Sequence, residues 1–338
     1  MKRTIWATLV LIMLCSVAFA TGSSETKASE NLVLSFSNGS LSTSIDGEAM
    51  GKMQEYVSKA SNGKIAVDAH WQNSLFTQDQ EIPAIMKGNL DMCQAQPSQL
   101  ATYFPKMYTL TATYIFKDYN HWKKFYESEE AQKIFDEMEK KLGIVVLSVE
   151  NFGARTISLT IDKKITSRED MKGIKLRTMS DESSIFMGEA LGANSFPIPY
   201  PDVYMSLQTG TIDGQENVIK TIIDNSYYEV LKSVTLNRHV QGTNFYIINA
   251  KKWHSMTPEQ QAIVKEGAKI CADYKTSVSL DEDAIVAQMK EKGMKVYYLT
   301  DEELTNYRNE VVDYYFKHPE VTKLWDMDLY NSIQAMIE

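Results

Sequence analysis

The chain has 338 residues, which is enough for two domains that each bury a core of their own. Hydrophobic residues make up 43% and charged residues 23%, as in ordinary soluble globular proteins. The formal net charge is −9, and this acidic balance argues against nucleic acid or an anionic membrane surface as a partner.

The N-terminus has the pattern of a secretory signal. Lys2 and Arg3 precede an apolar run over residues 5–14, and the phrase AFA at 18–20 has the small residues that a signal peptidase requires. The apolar run is too short for a membrane-spanning helix, which needs about 20 residues. We therefore predict a signal peptide over residues 1–20 and a periplasmic location for the mature chain.

The cysteines leave two questions about covalent chemistry. Cys15 offers an alternative lipoprotein signal with a lipid tether, but the preceding Leu14 is larger than such a signal usually has, and we favour the untethered form. Residues 21–30 are polar and predict a disordered spacer. Cys93 and Cys271 have no local signal for a disulfide, and two buried free thiols are the preferred interpretation.

Strand and helix patterns alternate over the first part of the mature chain. The predicted elements are a strand over 31–36, a helix over 45–61, a strand over 64–71, a helix over 78–87 and a strand over 90–95. This β-α-β-α-β order is typical of a parallel sheet with helices on its faces.

The alternation continues through the rest of the chain. The predicted elements are a helix over 120–142, a strand over 144–150, a short helix ending at Gly173, a strand over 174–178, helices over 183–191 and 201–210, and a strand over 245–249. The phrase TPEQ at 257–260 has the cap pattern of a helix start, and we predict a helix from there to about Lys292. A helix of that length could brace two domains. Thr300 and Glu303 cap a last helix.

The common catalytic and cofactor motifs do not occur. None of the five histidines lies four residues from another, and there is no G-x-S-x-G, Walker A or dinucleotide fingerprint. No pair among the 44 acidic residues stands out as a catalytic dyad. We expect no catalytic residue, no metal and no cofactor.

Two arginines lie near the ends of predicted strands. Arg177 is in the strand over 174–178, and Arg155 follows Gly153 beside the strand over 144–150. Ligands of open α/β sheets bind outside the carboxyl ends of strands, and a guanidinium matches a carboxylate with two parallel hydrogen bonds. Alternatively, each arginine pairs with an Asp or Glu of the protein. The residues alone leave these two interpretations about equal.

A more specific pattern comes from four longer phrases. They are PSQLATYFP at 97–105, YIFKDYNHW at 114–122, GIKLR at 173–177 and PYPDVYMSLQTGTIDGQEN at 199–217. With these phrases at these separations, residues 32–329 resemble the solute-binding proteins of tripartite ATP-independent periplasmic (TRAP) transporters, of the DctP type.

The resemblance implies an α/β fold like that of periplasmic binding proteins. Two domains enclose a ligand cleft, and a long helix braces them. Domain one is expected over 31–152 plus 243–282, and domain two over 153–242 plus 283–338.

The resemblance also implies which residues bind the ligand. Arg177 makes a bidentate pair with a ligand carboxylate, while Arg155 and Asn217 support the same group. On this view both guanidinium groups are left without counter-ions from the protein. The other expected ligand contacts are Tyr200, Ser180, Gln96, Gln99, Asn38 and Trp71.

The implied function is capture of a small organic carboxylate and its delivery to the small and large TRAP membrane subunits. A sugar acid or uronate is favoured, and sialic acid is not, because Gln96 and Gln99 are neutral where sialate-binding members of the family look charged. We expect a monomer. The rival hypotheses are a secreted enzyme that uses the same cleft and a binding protein that serves a sensor or another transporter.

Overall fold

The computed structural model describes residues 31–337. The predicted signal peptide, the polar spacer and Cys15 lie outside this range. The described strands are β1 (Leu32–Ser37), β2 (Ile65–His70), β3 (Met92–Ala95), β4 (Ile144–Leu159), β5 (Lys175–Thr178), β6 (Asn194–Pro197), β7 (Gly214–Val218), β8 (Ser233–Asn249) and β9 (Lys295–Tyr297).

Helices connect these strands. They are α1 (Ile45–Ala60), α2 (Gln78–Lys87), α3 (Pro97–Ala101), α4 (Met107–Leu110), α5 (Tyr119–Tyr126), α6 (Glu129–Leu142), α7 (Glu182–Ala190), α8 (Val203–Gln208), α9 (Lys220–Asp224), α10 (Ala250–Ser255), α11 (Pro258–Ser279), α12 (Glu282–Glu291), α13 (Asp301–Phe316), α14 (Pro319–Thr322) and α15 (Met327–Ala335). Short 3-10 helices lie at Glu169–Met171, Tyr200–Asp202 and Tyr227–Glu229.

The strands form one mixed sheet in the order β2-β1-β3-β8-β4-β7-β5-β6, with β9 beside β8. β1 is parallel to β2 and β3, as the β-α-β-α-β pattern predicts, and β5 is parallel to β6 and β7. β8 is antiparallel to β3 and β4, and β4 is antiparallel to β7. The parallel arrangement is therefore confirmed for β1 to β3 but does not extend through the sheet.

The central strands β4 and β8 are more than twice as long as predicted. They contain 16 and 17 residues, whereas the sequence predicted strands only over 144–150 and 245–249. The missed segments contain glycines, which lower strand propensity. Gly153 has a φ of 101°, and a Cβ on Gly242 would lie 2.8 Å from the Gly153 backbone oxygen. These glycines let the two strands approach closely where their register shifts.

Two predicted helices are interrupted by caps. The helix over 120–142 is two helices, because the side chain of Ser128 accepts a hydrogen bond from the Ala131 N–H and starts α6. The long helix ends at Ser279, and Asp281 caps α12 in the same way. The remaining 22 residues of α11 are still the longest described helix, and they pack against α1 and β4.

Apolar side chains are buried on both faces of the sheet. Met53 and Val57 of α1 pack with Val264 and Cys271 of α11 in one cluster. Cys93 is buried in another cluster, and both cysteines are free thiols, which confirms the preferred interpretation. Within residues 31–337, no helix has the length and apolar character needed to cross a bilayer.

Candidate ligand-binding site

A cavity of about 850 Å³, part of it open to solvent, lies beside the central strands. The wall is formed by the segment after β1, the start of α1, α2, β3, α3, β4, β5, the 3-10 helix at Tyr200–Asp202, β7, α9, β8 and α11. Six of the predicted ligand-binding positions in it carry amides or guanidinium groups, namely Arg155, Arg177, Asn38, Asn217, Gln96 and Gln99. Such a wall suits a polar or charged ligand.

Arg177 is buried in this wall without a carboxylate partner. Its side chain comes from β5 and only 1% of the residue is exposed. Nε donates to the backbone oxygen of Ile198 at 2.9 Å, but Nη2 is buried with no hydrogen-bond partner in the described chain. Burial lowers the pKa of this guanidinium, and the charge of Glu216 partly opposes that effect. A buried guanidinium without a counter-ion is unfavourable, and an anionic ligand would supply both the missing charge and an acceptor for Nη2.

Arg155 is already neutralised by the protein. Its Nε and Nη2 each donate to a Glu216 carboxylate oxygen at 2.6 Å, and Nη2 also donates to the Glu216 backbone oxygen at 3.0 Å. The expectation that Arg155 has no protein counter-ion is wrong. Ile157 lies opposite Glu216 in the β4–β7 ladder, so Arg155 and Glu216 are diagonal neighbours on one face. Arg155 still lines the cavity.

His239 completes this buried group. Its Nε2 lies 3.2 Å from a carboxylate oxygen of Glu216. Burial raises the pKa of Glu216, but Arg155 and His239 lower it by more, to about 2. Burial lowers the pKa of His239, so the ring is neutral at pH 7. The charges of Arg155 and Glu216 therefore cancel.

Tyr200 and Asn217 line the same cavity as Arg177. The Arg177 guanidinium carbon lies 5.9 Å from the centre of the Tyr200 ring, and the Tyr200 hydroxyl accepts a hydrogen bond from Asn225 at 2.8 Å. Oδ1 of Asn217 accepts from the Val218 N–H at 2.9 Å. Nδ2 of Asn217 donates to no other residue of the described chain, so it is available to a ligand oxygen.

Asn38, Gln96 and Gln99 line the cavity on the side of β1 and α3. Asn38 donates to Gln94 at 2.6 Å and accepts from the Ser40 N–H at 2.7 Å. Oε1 of Gln99 accepts from the Gln96 N–H at 2.8 Å and caps α3. The protein thus orients these amides, and the Gln99 Nε2 remains as a donor.

The chain matches one protein family over most of its length. The profile of the bacterial extracellular solute-binding proteins, family 7, also called DctP, matches residues 36–320. The chain belongs to this family. Its members are solute-binding components of transporters that work with membrane subunits, and the chain is therefore a binding protein rather than an enzyme.

Individual relatives agree with this family assignment. The chain is 26% identical to the sialic acid-binding periplasmic protein SiaP of Vibrio cholerae, over 75% of this chain and 79% of that one. It is 27% identical to the C4-dicarboxylate-binding periplasmic protein DctP of Rhodobacter capsulatus, over 81% and 82% of the two chains.

A solved TRAP periplasmic solute-binding protein from Roseobacter denitrificans, with bound 3-deoxy-D-manno-oct-2-ulosonic acid, has the same fold. The two structures share a TM-score of 0.85 and 29% identity over 91% of this chain and all of the other. A second, from Sulfitobacter with bound β-D-galacturonate, has a TM-score of 0.78 and 25% identity over 86% of this chain and 97% of the other. The predicted two-domain α/β binding-protein fold is confirmed.

Two expected ligand contacts of this DctP protein do not line the cavity. Ser180 is exposed, and Met179 lines the cavity instead. Both residues follow the end of β5 at Thr178, and there Met179 is buried whereas Ser180 is exposed. Trp71 packs its ring edge-on to Phe36, with 6.1 Å between the ring centres.

The DctP site contains a buried lysine that the sequence analysis missed. Lys275 of α11 forms ion pairs with Asp46 and with Glu150, the latter at 2.7 Å. Burial lowers the pKa of Lys275, but the two carboxylates raise it by more. A signal was present, because Lys275 lies four residues from Cys271 and from Ser279 on the buried face of α11.

The cavity wall also contains Glu81 and a Lys220–Asp224 ion pair, which were missed as well. Glu81 lies on the apolar face of α2, one and four residues before Ile82 and Ile85, and that position was its sequence signal. Among residues 31–337, no group of three or more His, Cys, Asp or Glu side chains is arranged to hold a metal ion.

Proposed function

We propose that this TRAP solute-binding protein captures an organic acid with one carboxylate, preferably a sugar acid or uronate, and that Arg177 pairs with that carboxylate. The observation that carries the proposal is the buried guanidinium of Arg177, which lines the cavity and whose Nη2 lacks a partner in the described chain. Tyr200 and Asn217 are the proposed neighbours of the bound carboxylate, and Arg155 has a supporting role.

The charges of the wall favour a single carboxylate. Four cationic side chains line the cavity. Arg155 pairs with Glu216, Lys220 with Asp224, and Lys275 with Asp46 and Glu150. Among the described residues of the wall, Arg177 is the one cation without such a partner. A second ligand carboxylate would therefore lack a free cation and would lose hydration without compensation.

The neutral part of the wall favours hydroxyl groups on the ligand. Gln96 and Gln99 present amides, which can both donate and accept hydrogen bonds, whereas the amide nitrogens of Gln94 and Asn244 already donate to Tyr246 and Glu150. The relatives from Roseobacter denitrificans and Sulfitobacter were solved with a hydroxylated sugar acid and a uronate. Gln96 and Gln99 stay neutral where sialate binders look charged, so we do not propose sialic acid.

Binding is coupled to domain closure in this proposal. Domain one, over 31–152 plus 243–282, supplies the amide wall, and domain two, over 153–242 plus 283–338, supplies Arg177 and Tyr200. Each charge-assisted hydrogen bond contributes about 1.5–3 kcal/mol, and the loss of water on closure strengthens it. A ligand that contacts both domains shifts the population towards the closed form. The monomer in that form then delivers the ligand to the small and large membrane subunits.

The test is a thermal-shift screen of organic acids followed by titration calorimetry. We expect Arg177→Gln to lose at least a hundredfold in affinity for the best ligand, because two charge-assisted hydrogen bonds are removed. The matched control is Arg308→Gln, a partly exposed arginine on α13 outside the cavity. Binding by Arg177→Gln within a few-fold of the wild type would show that the proposal is wrong.

A further inference from the structure

Glu81 is a buried carboxyl group in the cavity wall that no ion pair explains. It lies on α2 with 4% of the residue exposed, and it lines the same cavity as Arg177. Its Oε1 is buried without a hydrogen-bond partner, and no Lys, Arg or His of the described chain forms an ion pair with it. The other carboxylates of the wall, Asp46 and Asp224, each pair with a lysine.

Two uncharged groups, the Ser37 hydroxyl and the Cys93 thiol, are close enough to Glu81 to interact with it. Ser37 of β1 and Cys93 of β3 lie beside each other in the sheet. Burial raises the pKa of Glu81 to about 8, and the Ser37 hydroxyl opposes this by less. Burial also raises the pKa of the Cys93 thiol, and the nearby Glu81 raises it further. At pH 7 Glu81 is therefore a neutral carboxylic acid, with one donor and free acceptor capacity.

A neutral carboxylic acid donates one hydrogen bond through its O–H and accepts at its other oxygen, so a ligand group that satisfies both must be able to accept and to donate. We propose that Glu81 determines specificity by hydrogen-bonding a hydroxyl group of the bound acid, at a subsite away from its carboxylate. A hydroxyl group fits because it can donate to one oxygen of Glu81 and accept from the other. This inference rests on the proposed function and narrows the ligand class to hydroxylated monocarboxylates.

Two substitutions separate hydrogen bonding from shape. Glu81→Gln keeps a neutral donor and acceptor of the same size, whereas Glu81→Met keeps the length and removes the polar atoms. We expect Glu81→Met to bind D-galacturonate and D-galactonate at least tenfold more weakly than the wild type. Glu81→Gln should recover affinity to within about threefold. Glu55→Met, an exposed position on α1, is the matched control and should bind as the wild type does.

The probes also include hexanoate, which has the six carbons and one carboxylate of galactonate but no hydroxyl groups. The Glu81 inference fails if the wild type binds hexanoate as tightly as galactonate, or if Glu81→Met binds galacturonate within threefold of the wild type. In either case the proposed function survives as long as Arg177→Gln loses binding. If Arg177→Gln retains its affinity, the proposed function itself is wrong.

A measurement on the wild-type protein covers the case in which Glu81→Met does not fold. Infrared difference spectra recorded at pH 7 report the C=O band of a protonated carboxylic acid, which galacturonate does not contribute because it is ionised. We expect a band that shifts when galacturonate is added and that is absent from Glu81→Gln. A spectrum with no ligand-dependent carboxylic acid band would overturn the inference.

Discussion

Arg155 of β4 and Glu216 of β7 form a two-pronged ion pair in which each of two nitrogens lies 2.6 Å from a carboxylate oxygen. Both side chains are almost completely buried, with 4% and 0% of their surface exposed. The pair links two adjacent strands in the wall of the cavity and leaves Arg155 without a free charge for a ligand. Arg177 is the cation that remains.

The first prediction concerns this ion pair. Glu216→Gln leaves Arg155 buried without a counter-ion, and we expect the free energy of unfolding to fall by about 3–5 kcal/mol. Urea denaturation at pH 7 measures this change. The control is Glu282→Gln, which removes the partner of Arg238 in a pair that is about one-third exposed and should cost less than about 1 kcal/mol. Equal losses in the two variants would contradict the assigned role.

The second prediction concerns Lys275. Replacing it by Met leaves Glu150 fully buried with its negative charge unpaired, and Glu150 already has one oxygen without a partner. We expect a loss of about 3–5 kcal/mol in stability. The matched control on the same helix is Lys269→Met, whose ion pair with Asp273 is exposed. If the denaturant midpoints of the two variants agree, the buried network does not stabilise the fold as described.

The third prediction follows from the pKa of Glu81. Its folded-state pKa of about 8 lies above the ordinary value of 4.5, so the folded protein holds a proton that the unfolded chain loses between these values. The contribution of this proton to the free energy of unfolding is fully present below pH 4.5. It falls by up to about 1.4 kcal/mol per pH unit as the pH rises towards 8.

In Glu81→Gln the side chain at position 81 does not titrate, either in the folded or in the unfolded protein. The stability of the variant relative to the wild type should therefore increase between pH 5 and pH 8, and denaturation curves at both pH values test this. A difference that stays constant with pH would mean that Glu81 is ionised in the folded protein.

The fourth prediction concerns the cysteines. Cys93 and Cys271 are fully buried, and burial raises the pKa of both thiols, of Cys271 to about 12. We expect no reaction with a thiol reagent in native buffer and complete reaction of both in denaturant. Rapid labelling of either residue in the native protein would contradict the buried placement.

Local patterns in the sequence were sufficient for the longer helices and for the strands β1, β2, β3 and β5. The capping box at Thr257 starts α11, and the left-handed Gly88 and Gly143 follow α2 and α6, because caps depend on residues a few positions apart. β7 and the inner halves of β4 and β8 were missed. Their polar residues are stabilised by neighbouring strands, and that information is not local.

The sequence by itself determined the family and singled out Arg177, Tyr200 and Asn217, which line the cavity, because these residues lie in phrases with characteristic spacing. Only the tertiary structure decided which charges are free. The partners of Arg155 and Lys275 are 61 and up to 229 residues away in the chain, and strand pairing and helix packing bring them together. The order of charges along the chain does not show which distant residues meet in space. The sequence therefore could not distinguish an arginine paired within the protein from one left free for a ligand.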